Sequence, residues 1–572
     1  MSHTIKSIPD RTRIPSTTLK CFYFTTKNES QKKNPPPEME ASGFMASKWI
    51  ATAFAIWIQC SCGAATFSIY SSVLKSSQGY DQSTLGTVSV FKDIGTNAGI
   101  ISGFLCSAVT SPFPRRPFVG PWMVYAAGAV QCFLGYIFMW AAVSGLIDRP
   151  SVPVMCFFML LASHAQTFFS TANVVTGVHN FKHYSGTIVG IMKGYLGLSG
   201  ALVIQVYNTI CNGEPSNFLL LLAVLPTLLS IMFMWFIRID RTESRNERKH
   251  LDSLSAHAVI VAFYLMAVII LDNTFSLPSS TRSFTFSILL ILLSAPLGIA
   301  INARREDLKV TEKTHVLNKS KSVDTEDLVE YHELPRDERQ IMAVASSSTP
   351  QAMNVLEALC TINFWLLFTA MVCGMGSGLA TINNMTQLGQ SLGYTVTETK
   401  TFVSLWSIWN FLGRFGAGYA SDYLLHSYGC ARPLLMAITL LIMSGGHLVI
   451  ASSFSGNLYV GSTLVGICYG SQWSLMPSIT SDIFGLEHMG TIFNAIATAS
   501  PLGSYVFSVK VIGYIYDKEA AGEHGSCSGT HCFAVSFLVM AVVAFVGFLV
   551  AAALFFRTRR FYALQSRAER LS

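Results

Sequence analysis

Apolar runs of bilayer length, repeated along almost the whole chain, constrain this sequence more than any motif in it. A membrane-spanning helix needs about 20 apolar residues, and runs of that length begin near residue 48 and recur until about 556. Half of the 572 residues are hydrophobic and 12% are charged, against about a quarter charged in soluble domains. Backbone polar groups inside a bilayer must be satisfied within the segment, so runs of this length fold as helices. The sequence therefore predicts an all-α polytopic membrane protein. Six spans fall at about 48–74, 84–109, 119–146, 151–178, 184–211 and 216–239; two follow at about 255–275 and 283–302; six more lie at about 358–385, 398–423, 431–453, 457–481, 489–515 and 532–556.

That pattern of six, two and six divides the chain. Residues 1–45 are a polar tail and 46–240 a first six-helix bundle; 241–302 hold a basic linker and two extra helices, and 303–355 form a polar loop. A second six-helix bundle occupies 356–557, and 558–572 close the chain. The extra helices are expected to pack outside the core, because each flanking half already has six spans.

Orientation is read from the loops, since Lys and Arg gather on the cytosolic side of membrane proteins. One set of loops carries single cations: Lys75, Arg149, Arg282 and Lys518. The other carries Arg115–Arg116, Lys182, a cluster from Arg238 to Lys249, Arg304–Arg305, Arg432 and Arg557–Arg560. Both termini and the 303–355 loop are expected to be cytosolic, in the plasma or vacuolar membrane in preference to an organelle. A net charge of +7 is thus a topology signal and does not point to nucleic acid. Most of the thirteen cysteines sit inside apolar runs, where they act as small hydrophobes. Cys527 and Cys532, in CSGTHC, are placed to bridge an external loop; free thiols rank second, and zinc held with nearby histidines third, because the spacing fits no standard site. No cofactor, resident metal or nucleophile constellation is expected, so the chain is not read as an enzyme.

The late stretch FLGRFGAGYASDYLL sets Arg414, Gly418 and Asp422 four residues apart, along one face of a helix. Glycine lets helices approach closely in a bilayer, and the two charges must find partners or water. This pattern at a helix end resembles the signature loop of the major facilitator superfamily, which implies a conformational latch formed by Arg414, Gly418 and Asp422. The equivalent loop of the first half, GFLCSAVTSPFPRRP, lacks an acidic residue. A faint repeat supports duplication: Gly103 aligns with Gly418, and Gly186–Thr187–Ile188 with Gly490–Thr491–Ile492. In that register Asp422 faces Ser107.

Further stretches, among them KWIATAFAIWIQ, LGTVSVFKDIGTNAGIISG, GIMKGYLGLSGA, GSGLATINNMTQLGQSLGY, GSQWSLMPSITSDIFG and SPLGSYVFSVKVIGYIYD, resemble the plant nodulin-like branch of that superfamily, the group named for nuclear fusion defective four. The resemblance implies a secondary-transporter fold of two six-helix bundles, here with two extra helices between them and about fourteen spans in all. It supplies no substrate.

Lys92, Asp93 and Lys193 lie roughly 15 Å into their spans, where ionisable residues face protein or water and mark functional sites by default. They are the candidates for substrate binding or proton coupling, against a reading as ion pairs that merely fix packing. Their excess of cation suggests an organic anion as the small-molecule substrate, with protons as a coupling ion. The resemblance makes the first and fourth helices of each half line the cavity, with Trp57, Gln59, His164, Gln166, Asn383, Asn384, Gln472 and Trp473 as candidates; each is equally readable as interhelical glue. Pro501 breaks its helix, as a hinge or as a static kink. The leading function is a secondary active transporter working by alternating access; the alternative is a receptor or scaffold of the same fold that does not transport. The orientation has a direct test: single cysteines in the 303–355 loop should resist impermeant thiol reagents applied outside intact cells, and labelling there would overturn the topology.

Overall fold

A computed structural model describes residues 47–321 and 352–571, apart from 64–66, 81, 111–119, 212–214, 241, 243, 245, 276–277, 453, 455 and 521–526. The expected 1–45 tail and most of the 303–355 loop lie outside the described residues.

The described chain is helical throughout its apolar runs. The first crossing is split into α1 (Lys48–Ser61) and α2 (Phe67–Gln78), and the second into α3 (Gln82–Asn97) and α4 (Ile100–Thr110). Four continuous helices complete the first half: α5 (Trp122–Val143), α6 (Val152–Asn180), α7 (Ser185–Ile210) and α8 (Pro215–Phe233). The inserted pair is α9 (Glu247–Phe275) and α10 (Ser279–Lys321). After a short α11 (Val355–Leu359), the second half runs through α12 (Ile362–Asn383) with α13 (Met385–Ser391), then α14 (Val396–Tyr428), α15 (Arg432–Ala451) and α16 (Asn457–Phe484). The thirteenth crossing is α17 (Met489–Ala497), α18 (Ala499–Ser504), a π-helical stretch over Tyr505–Gly513 and α19 (Tyr514–Ala520); α20 (His531–Leu571) is the last. Ten of these segments are long and apolar enough to span a bilayer by themselves. The two split crossings, together with α14 and α16, bring the described spans to fourteen.

The breaks have local causes. Pro501 has no N–H to offer the carbonyl four residues back, and α17 ends there, at Ala497. In the second crossing the ladder opens at Ala98, and His164 Nε2 donates to the freed Ala98 carbonyl at 3.1 Å. The tenth crossing, α14, has defined stops. Thr395 and Glu398 form a capping box at its start, and Gly429 at φ 66° closes it, a backbone angle that glycine adopts without strain.

The inserted pair packs outside the two bundles, chiefly on α1 and α7. Pro296 explains part of its anchoring. It cannot donate to Leu292 O, and His257 Nε2 of α9 takes that carbonyl at 2.7 Å, while Trp57 Nε1 of α1 donates to the neighbouring Leu293 O at 2.7 Å. Since the carbonyl must accept, His257 carries its proton on Nε2, leaving Nδ1 to accept from the Tyr195 hydroxyl at 2.8 Å. On the face that carries the basic loops, termed the basic face below, the pair is also fastened by charge. Lys48 is ion-paired with Glu247 and donates to Thr242 O at 2.7 Å; Trp49 Nε1 donates to Asp307 at 2.9 Å. Lys249 and His250 meet Glu306 at 2.8 and 3.2 Å. These contacts hold α10 helical past the apolar run, so residues 303–321, expected as the start of a loop, continue the helix.

Lys48 is almost fully buried, so removing its partner should be costly. Glu247→Ala is expected to lower stability by about 3–5 kcal/mol, the cost of leaving a buried charge unpaired, and Lys48→Met with Glu247→Leu should recover most of it. Thermal unfolding in detergent reads both; an unchanged midpoint for Glu247→Ala would show that the pair does not hold α9 in place.

Candidate functional site

The site forms where α7 of the first half meets α14 and α16 of the second. Glycines make the approach possible: Gly186, Gly190 and Gly194 of α7 recur every four residues and face α14, where a Cβ at Gly418 would lie 2.3 Å from Gly186 O. One turn deeper the same seam brings two cations together. Lys193 is 4% exposed and its ammonium donates to Ser170 Oγ of α6 at 2.8 Å. Arg414 is 9% exposed; it donates to Asn410 Oδ1 at 2.8 Å and, across the two halves, to the Lys193 carbonyl at 3.1 Å. Both cations lie over the Trp473 indole, at 5.3 and 5.7 Å, and Lys193 also lies 5.7 Å from the Phe493 ring. Among the described residues, no carboxylate comes within ion-pair distance of either one.

Their surroundings are polar but incompletely satisfied. Tyr469 of α16 lies near both Arg414 and Asp93 and 6.5 Å from the Trp473 ring; Trp473 Nε1 and Ser500 Oγ have no hydrogen-bond partner among the described residues. Lys92 and Asp93, on α3, pair with each other at 3.0 Å and keep about a quarter of each side chain exposed. Taken together, Lys92, Lys193 and Arg414 against Asp93 leave two positive charges uncompensated. The aromatic faces beneath Lys193 and Arg414 offset part of the cost of burying them, since a ring quadrupole attracts a cation.

Toward the basic face the seam closes through a second cluster. Asp422 accepts from the backbone N–H of Gly186 and Thr187, at 3.0 and 2.6 Å, and pairs with Arg432 at 2.8 Å. Arg432 lies 2.9 Å from Asp482, which also accepts from the Tyr562 hydroxyl at 2.9 Å. One guanidinium thus serves two carboxylates, and the remaining negative charge rests on the N-terminus of α7, where the helix dipole favours it. The other inter-half seam, α4 against α17, uses neutral groups. A Cβ at Gly103 would lie 2.6 Å from Gly490 O; Ser107 and Thr491 share a hydrogen bond of 2.9 Å, and Asn494 donates to Thr171 at 2.8 Å. The sequence repeat pairs Gly103 with Gly418 and Gly186 with Gly490, so it maps one seam onto the other.

The predicted residues therefore separate. Gly418 and Asp422 belong to the basic-face cluster. Arg414 does not: two helical turns place it about 12 Å from Asp422, and it joins Lys193 in the centre. Of the cavity candidates, Trp473 lies in the centre. Trp57 points outward to α10. Gln59 is buried inside the first half, accepting from Asn173, and His164 bridges Gln131 and Ala98. Gln472 is buried against Met443 and Gly374, and Gln166 is half-buried. Asn383 and Asn384 reach Ser504 and Ser508 at the break between α12 and α13. Cys527 and Cys532 form a disulfide beside His531, leaving no thiolate for a metal, and this loop donates from Gly529 N to Ser391 O at 2.8 Å. Sequence reasoning missed Ser170, Asn410, Tyr469, Phe493, Arg432 and Asp482. Asn410 was accessible to it, lying one turn before Arg414; the others meet only through tertiary packing.

This architecture, two six-helix bundles sealed across a central polar site, is that of the major facilitator superfamily. The fold matches the proton:xylose symporter XylE bound to 6-bromo-6-deoxy-D-glucose with a TM-score of 0.51, over 89% of this chain and 95% of that one, at 13% identity. Residues 48–301 match the Nodulin-like family model, and 351–564 match the C-terminal domain of NFD4; the chain belongs to this nodulin-like family. Protein NUCLEAR FUSION DEFECTIVE 4 of Arabidopsis thaliana is 27% identical over 552 residues, covering 90% of this chain and 89% of that protein. The Probable transporter MCH1 of Yarrowia lipolytica is 29% identical over 167 residues, covering 27% of this chain and a third of that protein.

Gly418 gives the seam a sharp test. In Gly418→Ala the new methyl would lie 2.3 Å from Gly186 O and 2.8 Å from Gly190 Cα, backbone atoms that cannot swing aside, so the two halves must part on the basic face. Native Cys106, fully buried behind Gly490 in the partner seam, should then react faster with an impermeant maleimide supplied from that face. An unchanged rate would show that the glycine contact does not hold the seam.

Proposed function

We propose that this protein is a secondary active transporter of a small organic anion, working by alternating access. One observation carries the reading: Lys193 and Arg414, contributed by different halves, lie over one indole with no carboxylate among the described residues within ion-pair distance. Buried charges without partners are expensive, and an anion that bridges them relieves that cost while tying the halves together. Such an anion favours the occluded arrangement over either open one, which is the differential affinity that lets a ligand shift a conformational equilibrium. With the basic face assigned to the cytosol, the seams at Gly418 and Gly103 close the cytosolic side, and the anion enters from the other side. Rocking would open the Asp422 cluster and the Ser107–Thr491 contact together.

Coupling to protons is the second part of the proposal. Asp93 is held by Lys92 within the electrostatic reach of Tyr469. Protonating Asp93 would cancel that ion pair and add a further positive charge to the centre, so a proton and an anion favour each other's binding. The name of the fungal relatives is in line with transport. A receptor or scaffold that does not transport is less well supported, because nothing in such a role requires two cations to stay unneutralised at the junction of the halves.

Uptake into proteoliposomes, screened over carboxylates with and without a pH gradient, tests the proposal. Lys193→Ala should weaken anion binding by the worth of a charged hydrogen bond, about 1.5–3 kcal/mol or roughly 10–150-fold, with folding intact. Lys193→Arg should restore little, since a planar guanidinium does not fit a site built around a compact ammonium. Normal uptake by Lys193→Ala would remove this site.

A further inference from the structure

The inserted helices touch both halves, and they do so unequally. Toward the first half they are fastened at many points: Glu247 to Lys48, Asp307 to Trp49, the Leu293 carbonyl to Trp57, and His257 to Tyr195. Trp49 also packs its ring 5.3 Å from His250 and 4.9 Å from Phe181. Several of these partners are buried, so α9 and α10 move with the first half as one body.

Toward the second half the contact is small and confined to the basic face. The first turns of α9 lie against the end of α14. Tyr419 lines one cleft with Asp252 and Arg248, which are themselves 4.0 Å apart. Leu251 is buried at this contact, and Tyr184 of the first half stacks on His426 at 5.2 Å beside it. The surfaces leave a cleft of about 80 Å³ between Tyr184, Arg248, Asp252, Tyr419 and His426. They are apposed without interlocking, as suits a contact that must break without large cost. Asp422, which seals the seam, lines the same cleft.

We propose that α9 is a strap: carried by the first half, it holds the end of α14 through Tyr419 and biases the transporter against opening on the basic face. This rests on the alternating-access reading above and adds to it a regulatory role for the inserted helices. The α10 helix lies beside the strap on the basic face, where Glu306 meets Lys249 and His250, and continues to Lys321. Opening on the basic face must separate α14 from α7, and α9, fixed to the first half, must leave α14 in the same movement. A few exposed polar contacts at this point shift the populations modestly. A covalent link there would forbid the movement.

The test uses the full chain in membranes, with the other free cysteines replaced and Cys106 kept as reporter. Cys106 is buried in the closed α4–α17 seam, so its labelling by an impermeant maleimide from the basic face measures opening on that face. Tyr419→Phe and Asp252→Asn should each raise the labelling rate about 2- to 5-fold, the scale of one exposed polar contact. Tyr419→Cys joined to Asp252→Cys by oxidation should suppress it to the level of a permanently closed protein. Lys48→Cys joined to Glu247→Cys, a link within one moving body, should leave labelling unchanged. The strap is overturned if the Tyr419–Asp252 link leaves labelling intact, if both links block equally, or if Tyr419→Phe and Asp252→Asn leave the rate unmoved. If Cys106 labels in no variant and no condition, alternating access itself fails, and the strap with it.

Discussion

Backbone contact between glycines is the constraint on which this molecule depends. Where Gly418 meets Gly186 and Gly103 meets Gly490 there is no room for a single methyl group. In a bilayer, apolar side chains gain little by leaving lipid for protein, so helix association relies on close packing and hydrogen bonds. The two glycine contacts bring the halves near enough for Asp422 to reach the backbone of α7, and for Arg414 to reach the Lys193 carbonyl. Wider spacing would leave those charges facing lipid or each other.

The two seams descend from one pattern but have different chemistry. In one, a carboxylate bound to a helix N-terminus and an arginine supplies strong, charge-assisted hydrogen bonds. In the other, hydroxyl and amide groups supply weaker ones at equivalent places: Ser107 stands where Asp422 does, and Thr491 where Thr187 does. The halves are thus gripped unequally, and the charged grip is the one the inserted helix α9 lies beside.

Much of this was legible in the sequence. Apolar runs of bilayer length set the number and order of crossings, because length and hydrophobicity alone decide whether a helix spans. The four-residue spacing of Arg414, Gly418 and Asp422 set which helix face meets its neighbour, since spacing along a helix is local geometry. Lys92, Asp93 and Lys193 stood out because charge is costly at that depth, and their surplus of cation already hinted at an anion. Even the pairing of the seams was present, as two short alignments whose meaning depended on which helices touch.

What only the tertiary structure decided was which charge answers which. Arg414 and Asp422 are eight residues apart on one helix and look like a unit, yet one faces the centre and the other the basic face, because a helix rises 1.5 Å per residue. Lys92 and Asp93 pair together, whereas Lys193 shares its ring with an arginine from the other half. Arg432 became a partner of Asp422 and Asp482 only when α15 and α16 folded beside α14. Trp57, Gln59 and His164 each hydrogen-bond to a neighbouring helix, contacts that sequence alone cannot assign, since a polar side chain in a span is equally suited to a carbonyl and to a solute. Sequence separation fixes distance along one helix, but distance between helices is set by how closely their backbones can pack, and here glycine sets it.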